Sequence, residues 1–214
     1  MNRLTIIVIA TCIVVAGCSR PGIKGDGEIK TEDRPISDYS KIVVSGGYRI
    51  KWSSGKPALT ISADQNLLPL IKTVVNGKTL QIDSAEQLAP TESIKITLSS
   101  ATLAEVRLTG GNNFRAAQIS GHDLKIESTG ASSIHVEGSV TNLKADLTGA
   151  SRLDAKSLHT QNATLSLLGA SDAAVNVSDA LKVSVTGAGS LIYSGDPKSV
   201  EQNVAGAGNI RRSP

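Results

Sequence analysis

Residues 128–151 read STGASSIHVEGSVTNLKADLTGAS, so the step Ser/Leu-Thr-Gly-Ala-Ser occurs twice within one short stretch. The glycine of this step recurs along the chain at intervals of 18 to 20 residues, at Gly110, Gly130, Gly149, Gly169, Gly187 and Gly206. A period of this length indicates one supersecondary unit that is copied along the chain.

Apolar residues occupy fixed positions around these glycines. The position four residues after each glycine is always apolar, and it holds Phe114, Ile134, Leu153, Ala173, Leu191 and Ile210. The positions two and six residues before each glycine are also apolar, except for Ser128, while the positions three residues before and three residues after each glycine are polar. This alternation on both sides of the glycine predicts two strands in each repeat, with one face of each strand inside.

The repeats contain no segment with a helical period between them. A β-only repeat of this length hides its apolar face by stacking on copies of itself. Connections between successive parallel strands are nearly always right-handed. We therefore predict an all-β fold, a right-handed parallel β-helix (β-solenoid) with 19–20-residue two-strand turns, regular over residues 106–212 in six turns. Each glycine is expected at a corner with a positive φ.

The preceding residues, 36–105, predict an irregular β cap that covers the first edge of the stack. Residues 42–46, with Ile50 and Trp52, fit the same columns and predict a degenerate first turn. The remaining expectations are strands at 59–63 and 94–98, an apolar loop or short helical turn at 66–72, and a hairpin at 74–80 with a type I′ Asn76-Gly77 turn.

The first residues are typical of an export signal. Arg3 precedes the apolar run 4–15, which is too short for a stable membrane span, and the run leads into Val15-Ala16-Gly17-Cys18. This ending is similar to the lipobox of bacterial lipoproteins, although an ordinary secretory signal with a chance cysteine is the alternative. We predict a signal peptide over 1–17, acylation of Cys18 as the membrane anchor, and a flexible tether over 18–35. By the same resemblance, Ser19 after the cysteine favours the outer membrane of the cell envelope.

Composition narrows the classes of partner. The chain has a formal net charge of +3, or about +2 without Arg3, and only 2% aromatic residues. The small net charge implies no strong electrostatic partner, and the few aromatic residues argue against stacking platforms for single-stranded nucleic acid or sugars. We therefore expect no nucleic acid partner. Cys12 leaves with the signal and Cys18 is acylated, so the mature chain has no thiol for disulfides, metal binding or catalysis.

At its repeats and cap the chain resembles the head GIN domain family, whose members are described as auto-transporter adhesins. The resemblance rests on the opening at 42–46, the segment 66–71, the hairpin 76–82 and the serial Gly-Ala-Ser or Gly-Ala-Gly corners, and it covers about 36–210. It implies a β-helical exported domain and brings no catalytic residues. Where the family often has Gly-Ser-Gly corners, this chain has alanine or serine at several positions.

Carboxylates on the outward columns raise the alternative of a polysaccharide lyase or hydrolase. Asp146 and Asp154 flank one corner, and Glu127 lies one turn before Asp146. Lys125 and Lys144 occupy the neighbouring column, so we expect solvated ion pairs there rather than catalysis. The three histidines lie at unrelated positions of the repeat, and we predict no metal site, no cofactor and no enzyme.

A possible binding surface is the outward column of Lys125, Lys144 and Lys182, which Thr164 interrupts. Such a basic stripe could hold an anionic glycan or lipopolysaccharide, whereas a face that only aids solubility is the plainer interpretation. The leading hypothesis is a non-catalytic adhesion or binding module of the cell envelope, whose partner is a polysaccharide or a protein. A third hypothesis is an envelope scaffold that self-associates through residues 203–212, and the oligomeric state stays open.

Overall fold

A computed structural model describes residues 22–213 of the chain. The predicted signal peptide, the predicted acylation site Cys18 and the C-terminal Pro214 lie outside the described residues. Within residues 22–213, no helix is long and apolar enough to cross a membrane.

The described chain is built almost wholly of strands, with one short 3₁₀ helix at Leu68–Leu70. In the cap the strands are β1 (Ile23–Lys24), β2 (Ile29–Asp33), β3 (Lys41–Gly46), β4 (Arg49–Ser54), β5 (Ala58–Asp64), β6 (Ile71–Asn76), β7 (Thr79–Ser84), β8 (Leu88–Ala89) and β9 (Lys95–Ser100). In the repeats they are β10 (Glu105–Gly110), β11 (Asn113–Gly130), β12 (Ser133–Gly149), β13 (Arg152–Gly169), β14 (Asp172–Gly187), β15 (Ser190–Ser194), β16 (Ser199–Gly206) and β17 (Asn209–Arg212).

The predicted parallel β-solenoid is confirmed. Strands β10 to β17 pair in parallel, and the six glycines of the repeat lie opposite one another from rung to rung, which delimits five complete turns. The prediction of two separate strands in each turn differs from the structure in one respect. Strands β11 to β14 each run unbroken from one glycine corner to the next. At the far bend of the turn the pairing shifts register, as between Ala116 and Ile119, instead of stopping. The bend is therefore a bulge in a continuous ladder.

Two constraints require glycine at the corner. Gly149 has a φ of +103°, and a Cβ built on it would lie 2.5 Å from the carbonyl oxygen of Gly130 in the turn before. The other corners repeat both features. Because the corners approach so closely, the ladder continues around them, and the amide of Ala150 donates to the oxygen of Gly130 at 2.8 Å.

A ladder of buried polar side chains lines the inside of this corner. Two residues after successive glycines lie Asn112, Ser132, Ser151 and Ser171, each almost inaccessible to solvent. Each serine hydroxyl donates to the carbonyl oxygen of a corner glycine, over 3.1 to 3.3 Å. The hydroxyl of Ser151 also lies 2.9 Å from that of Ser128. This hydrogen bond explains why Ser128 is tolerated in the otherwise apolar column two residues before the glycine.

The cap is assembled out of chain order. The predicted degenerate first turn is confirmed, since β3 pairs with β10 and Gly46 lies opposite Gly110. On its other side this turn pairs with β7 and β9, so a later part of the chain forms the outer rung. Antiparallel strands then cover both edges of this rung. At one edge β6 pairs with β7, and at the other β5 pairs with β9 and β2 pairs with β5.

The hairpin of β6 and β7 is confirmed, but its predicted turn type is wrong. The loop consists of Gly77 and Lys78, because Asn76 pairs with Thr79. Only Gly77 has a positive φ, of +60°, among the residues of this turn. A type I′ turn needs a positive φ at both central residues.

The flexible tether predicted over 18–35 differs from the structure beyond residue 21. Strand β2 pairs with β5, and the Asp64 carboxylate accepts hydrogen bonds from the backbone of Gly27 at 2.9 Å and of Thr91 at 3.0 Å. The prediction was wrong there because all five side chains of β2 are exposed. Backbone pairing and one exposed hydrogen bond, from the Thr60 hydroxyl to the Asp33 carboxylate at 2.6 Å, attach this strand, and neither leaves an apolar pattern in the sequence.

The corner geometry predicts the effect of Gly149→Ala. The new methyl group would meet the Gly130 oxygen and force a positive φ on alanine, so we expect a loss of roughly 2 kcal/mol in unfolding free energy. Gly111→Ala is the control, since a Cβ there meets nothing within 4 Å and Gly111 has no positive φ. Denaturant unfolding of both variants measures the difference. Equal stability of the two would contradict the steric role of the corner.

The buried Asp64 predicts a loss of stability in acid. The hydroxyl of Thr91 and the backbone amides of Gly27 and Thr91 lower the pKa of Asp64 below its ordinary 3.8. A lowered pKa in the folded state stabilises the fold above the ordinary value, and this contribution disappears as the pH falls through the folded value.

Asp64→Asn tests this prediction. The amide cannot accept all of these hydrogen bonds, so we expect a lower Tm at pH 7 and a smaller difference from the parent protein at pH 3. Asp196→Asn, at a carboxylate whose side chain is 92% exposed, is the control. A Tm difference for Asp64→Asn that is the same at both pH values would refute the linkage.

Candidate functional site

The predicted lysine stripe is present as a column, but its charges are compensated. Lys125 lies opposite Lys144, and Thr164 separates Lys144 from Lys182 as expected. Each lysine has an acidic partner in the described structure. Lys125 contacts Glu127, Lys144 lies 3.7 Å from Asp146, and Lys182 lies 2.8 Å from Glu201. The stripe therefore presents little net positive charge.

The carboxylate column is the other half of the same ion pairs. Glu127 accepts from Lys125 and, at 2.6 Å, from Arg107. The hydrogen bond from Lys125, followed by the nearby charge of Arg107, lowers the pKa of Glu127. A general acid at neutral pH needs a raised pKa. The geometry of this column thus favours structural ion pairing over the acid–base chemistry of a lyase or hydrolase.

Asp154 belongs to a separate cluster around His135. The His135 ring lies 2.6 Å from Glu137 through Nε2 and 3.5 Å from Asp154 through Nδ1. Across residues 22–213, no group of three or more His, Cys, Asp and Glu side chains is arranged to hold a metal ion. The cluster forms a mixed-charge border on the face of the sheet.

A second basic surface, which we call the basic groove, lies on the outward face of the sheet formed by β9, β4 and β11. It is a depression of about 290 Å³, and its polar lining consists of Arg49, Lys51, Lys95, Thr97, Asn113 and Arg115. Pairing brings these side chains together, because Arg49 lies between Lys95 and Asn113 while Lys51 lies between Thr97 and Arg115. Their alternation with the buried Ile50 and Trp52 points them away from the core.

Three of the four cations of the basic groove lack acidic partners. In the described part of the chain, no carboxylate lies within ion-pair distance of Arg49, Lys51 or Arg115, whereas Lys95 lies 3.5 Å from Glu92. Adjacent strands are about 4.8 Å apart, so three uncompensated cations share a small area. Such an array creates a positive potential that attracts anions.

The basic groove continues into a neighbouring depression of about 370 Å³. The two share Lys51, Thr97 and Arg115, and the second extends along the strands to Ser53 and Glu137. Glu137 is a carboxylate that contacts His135, so the uncompensated positive charge of the basic groove does not extend past Glu137. The combined surface is elongated and open.

These cations were not among the predicted site residues. Arg49 and Lys51 stand three and five residues after Gly46, the same offsets as Asn113 and Arg115 after Gly110. Extending the alignment of columns to the degenerate first turn would have identified these four lining residues of the basic groove from the sequence. Lys95 and Thr97 carry no such signal, because β9 joins the sheet only through the rearranged chain order of the cap.

The C-terminal end of the stack is a further exposed surface, which we call the open end. It consists of β16 and β17. Val200 and Val204 continue the inner apolar columns but are 38% and 43% exposed. No described strand pairs with the outer edge of β16 or β17.

Comparisons with known proteins agree with this architecture. The family described as "Putative auto-transporter adhesin, head GIN domain" matches residues 38–197. No curated protein matches the sequence significantly.

Solved structures show the same fold at low sequence identity. A putative adhesin from Bacteroides fragilis is 21% identical with a TM-score of 0.74, covering 90% of this chain and 100% of its own. A putative adhesin from Parabacteroides merdae is 20% identical with a TM-score of 0.62, and a putative lipid binding protein from Parabacteroides distasonis is 20% identical with a TM-score of 0.58. Both cover 90% of this chain and 99% of their own.

These identities establish the fold alone, whereas the family match extends over most of the chain. Five of the six repeat corners, strands β3 to β9 of the cap and the hairpin lie within the matched residues. The chain therefore belongs to the head GIN domain family.

Proposed function

We propose that the protein is a non-catalytic adhesion or surface-binding module of the bacterial cell envelope, and that the basic groove is its contact surface. The observation that carries this proposal is the set of uncompensated cations Arg49, Lys51 and Arg115 on one face of a continuous sheet. Membership of a family described as adhesins is consistent with it.

A rigid array of charges suits recognition. The parallel ladder fixes the strands that carry Arg49, Lys51 and Arg115, so binding need not order the backbone. Less conformational entropy is then lost on association than with a flexible loop. The outward side chains also make no contribution to the core, which leaves them free for binding.

The same proposal includes a lipid anchor at Cys18 and a location at the outer membrane. Strand β1 begins at Ile23, five residues after Cys18, so only a short length of chain would connect this strand to the lipid. A chain of five residues spans at most roughly 18 Å. The solenoid would then be held at the membrane surface by its capped end, and not at the end of a long tether.

Attachment of whole cells tests the adhesion role. Cells that carry the full chain with Arg49→Gln, Lys51→Gln and Arg115→Gln should attach to negatively charged glass only as well as cells without the protein. The physical reason is the loss of the three cations that no carboxylate compensates.

The control is the triple variant Lys125→Gln, Lys144→Gln and Lys182→Gln, which removes the same formal charge from the ion-paired column. We expect it to attach like the parent, since exposed ion pairs contribute little. Equal loss of attachment in both triple variants, or none in either, would contradict a specific role for the basic groove.

A second candidate function is an envelope scaffold that associates through the open end. The specific observation in its favour is the exposure of Val200 and Val204 on an edge that no described strand covers. Unpaired edges of this kind are templates for strand addition from another chain.

Sedimentation equilibrium of the full chain in detergent tests the scaffold. If the open end associates, Val204→Lys should shift the protein to the monomer, because it places a charge on the exposed apolar edge. Val74→Lys is the control, at a valine that is 50% exposed on the cap hairpin. A parent protein that stays monomeric at high concentration would exclude this candidate.

A further inference from the structure

We infer that the basic groove binds a linear acidic polysaccharide, whose carboxylate or sulfate groups are held by Arg49, Lys51 and Arg115. This inference rests on the proposed function and names the class of ligand for the same surface. It is carried by the spacing of the cations, by the shape of the two joined depressions and by the side chains that surround them.

The cations form a two-dimensional grid. Arg49 and Lys51 are two residues apart on β4, which corresponds to about 6.7 Å along the strand. Arg115 lies opposite Lys51 on the neighbouring strand, and Lys95 lies opposite Arg49 on the other side. A guanidinium group binds a carboxylate, sulfate or phosphate through paired hydrogen bonds, whereas a lysine contributes a point charge. Several anionic groups borne on one chain can therefore be bound together.

The shape of the surface favours a chain over a compact anion. The two depressions, of about 290 and 370 Å³, share Lys51 and Arg115 and follow the strand direction from Asn113 to Ser53. An isolated anion would occupy a small part of this surface. A polymer lying along the strands would place successive charged groups on Arg49 and then on Lys51 and Arg115.

The neutral polar side chains fit sugar hydroxyls. Thr97 and Asn113 lie in the basic groove, and Ser53 lies at the far end of the joined depression. Hydroxyl and amide groups both donate and accept hydrogen bonds, as sugar hydroxyls do. The groove thus offers charge for the acidic groups and hydrogen bonds for the rest of each sugar.

The surroundings argue against a membrane or a nucleic acid at this site. The exposed large apolar residues of the described chain are Ile23, Ile29, Val74, Leu168, Val200 and Val204, and none of them lines either depression. Insertion into a lipid interface needs such residues. Trp52 is only 3% exposed and donates its indole N–H to Ser100 at 3.0 Å, so it offers no ring for a base or a neutral sugar to stack on.

Binding measurements on the full chain in detergent test the inference. The probes are polygalacturonate, which carries carboxylates, dextran sulfate, which carries sulfates, and uncharged dextran of the same length. We expect one or both acidic polymers to bind, with affinity that falls as salt is added. Uncharged dextran should not bind.

Matched double variants locate the site. Arg49→Gln with Arg115→Gln should weaken polymer binding by about tenfold or more, since two charge-assisted contacts are lost. Lys144→Gln with Lys182→Gln removes the same charge from the ion-paired column and should change the affinity less than about twofold. All four side chains are exposed, and unchanged melting of the variants confirms that the fold is intact.

Any one of four results would overturn the inference. The first three are no binding of either acidic polymer, equal weakening by the two double variants, and full displacement of the polymer by inorganic phosphate at matched charge concentration. Tighter binding to phosphatidylglycerol vesicles than to the polymers would also overturn it and would point to a lipid surface.

The outcome is distinguishable from that of the adhesion role. If groove variants abolish cell attachment but the purified protein binds neither acidic polymer, the ligand class is wrong and the adhesion role stands. If the polymers bind through Arg49 and Arg115 but attachment is unchanged, the ligand class stands and the adhesion role is wrong.

Discussion

The close contact between successive glycine corners is the constraint on which the rest of this structure depends. At each corner the carbonyl oxygen of one glycine occupies the place where a side chain of the next would begin, as between Gly130 and Gly149. Because the hydrogen-bond ladder passes through this contact, the two arms of each turn keep a common register. Every outward column, including that of Lys51 and Arg115, is aligned as a consequence of that register.

The interior differs between the corners and the cap end of the stack. Near the corners the interior holds serines such as Ser132 and Ser151, whose hydroxyls satisfy the carbonyl groups of the bend. The bulky aromatic residues Tyr39, Trp52 and Phe114 are buried in and beside the cap. The basic groove lies over this part of the core. Its cations therefore project from strands whose inner faces carry large buried side chains, Trp52 on β4 and Phe114 on β11.

The repeats could be predicted from sequence because their contacts are copied at a fixed period, so each column carries several independent observations of one environment. The cap could be predicted only in its locally encoded parts, such as the hairpin of β6 and β7. The pairing of β2 uses backbone groups and one exposed hydrogen bond from Thr60 to Asp33, and the position of β9 beside β4 depends on the order of assembly. Likewise, the burial of Ser132 and Ser151 could not be predicted, since a serine whose hydroxyl is satisfied by a buried carbonyl has no distinguishing pattern.

Charge compensation distinguishes the predicted lysine stripe from the basic groove, which we propose as the contact surface. In the repeats, a lysine and a carboxylate alternate on one face, as in Lys125 with Glu127, and the copied unit neutralises itself in every turn where this occurs. On the other arm of the turn, β4 carries Arg49 and Lys51, and the next strand carries Arg115, with no carboxylate of the described chain within ion-pair distance of the three. Like charges on neighbouring strands destabilise a sheet, and this fold gains nothing from them. Cations that lack acidic partners and lower the stability of the sheet therefore indicate a ligand-binding surface. A longer row of lysines whose charges are already balanced by carboxylates is weaker evidence for one.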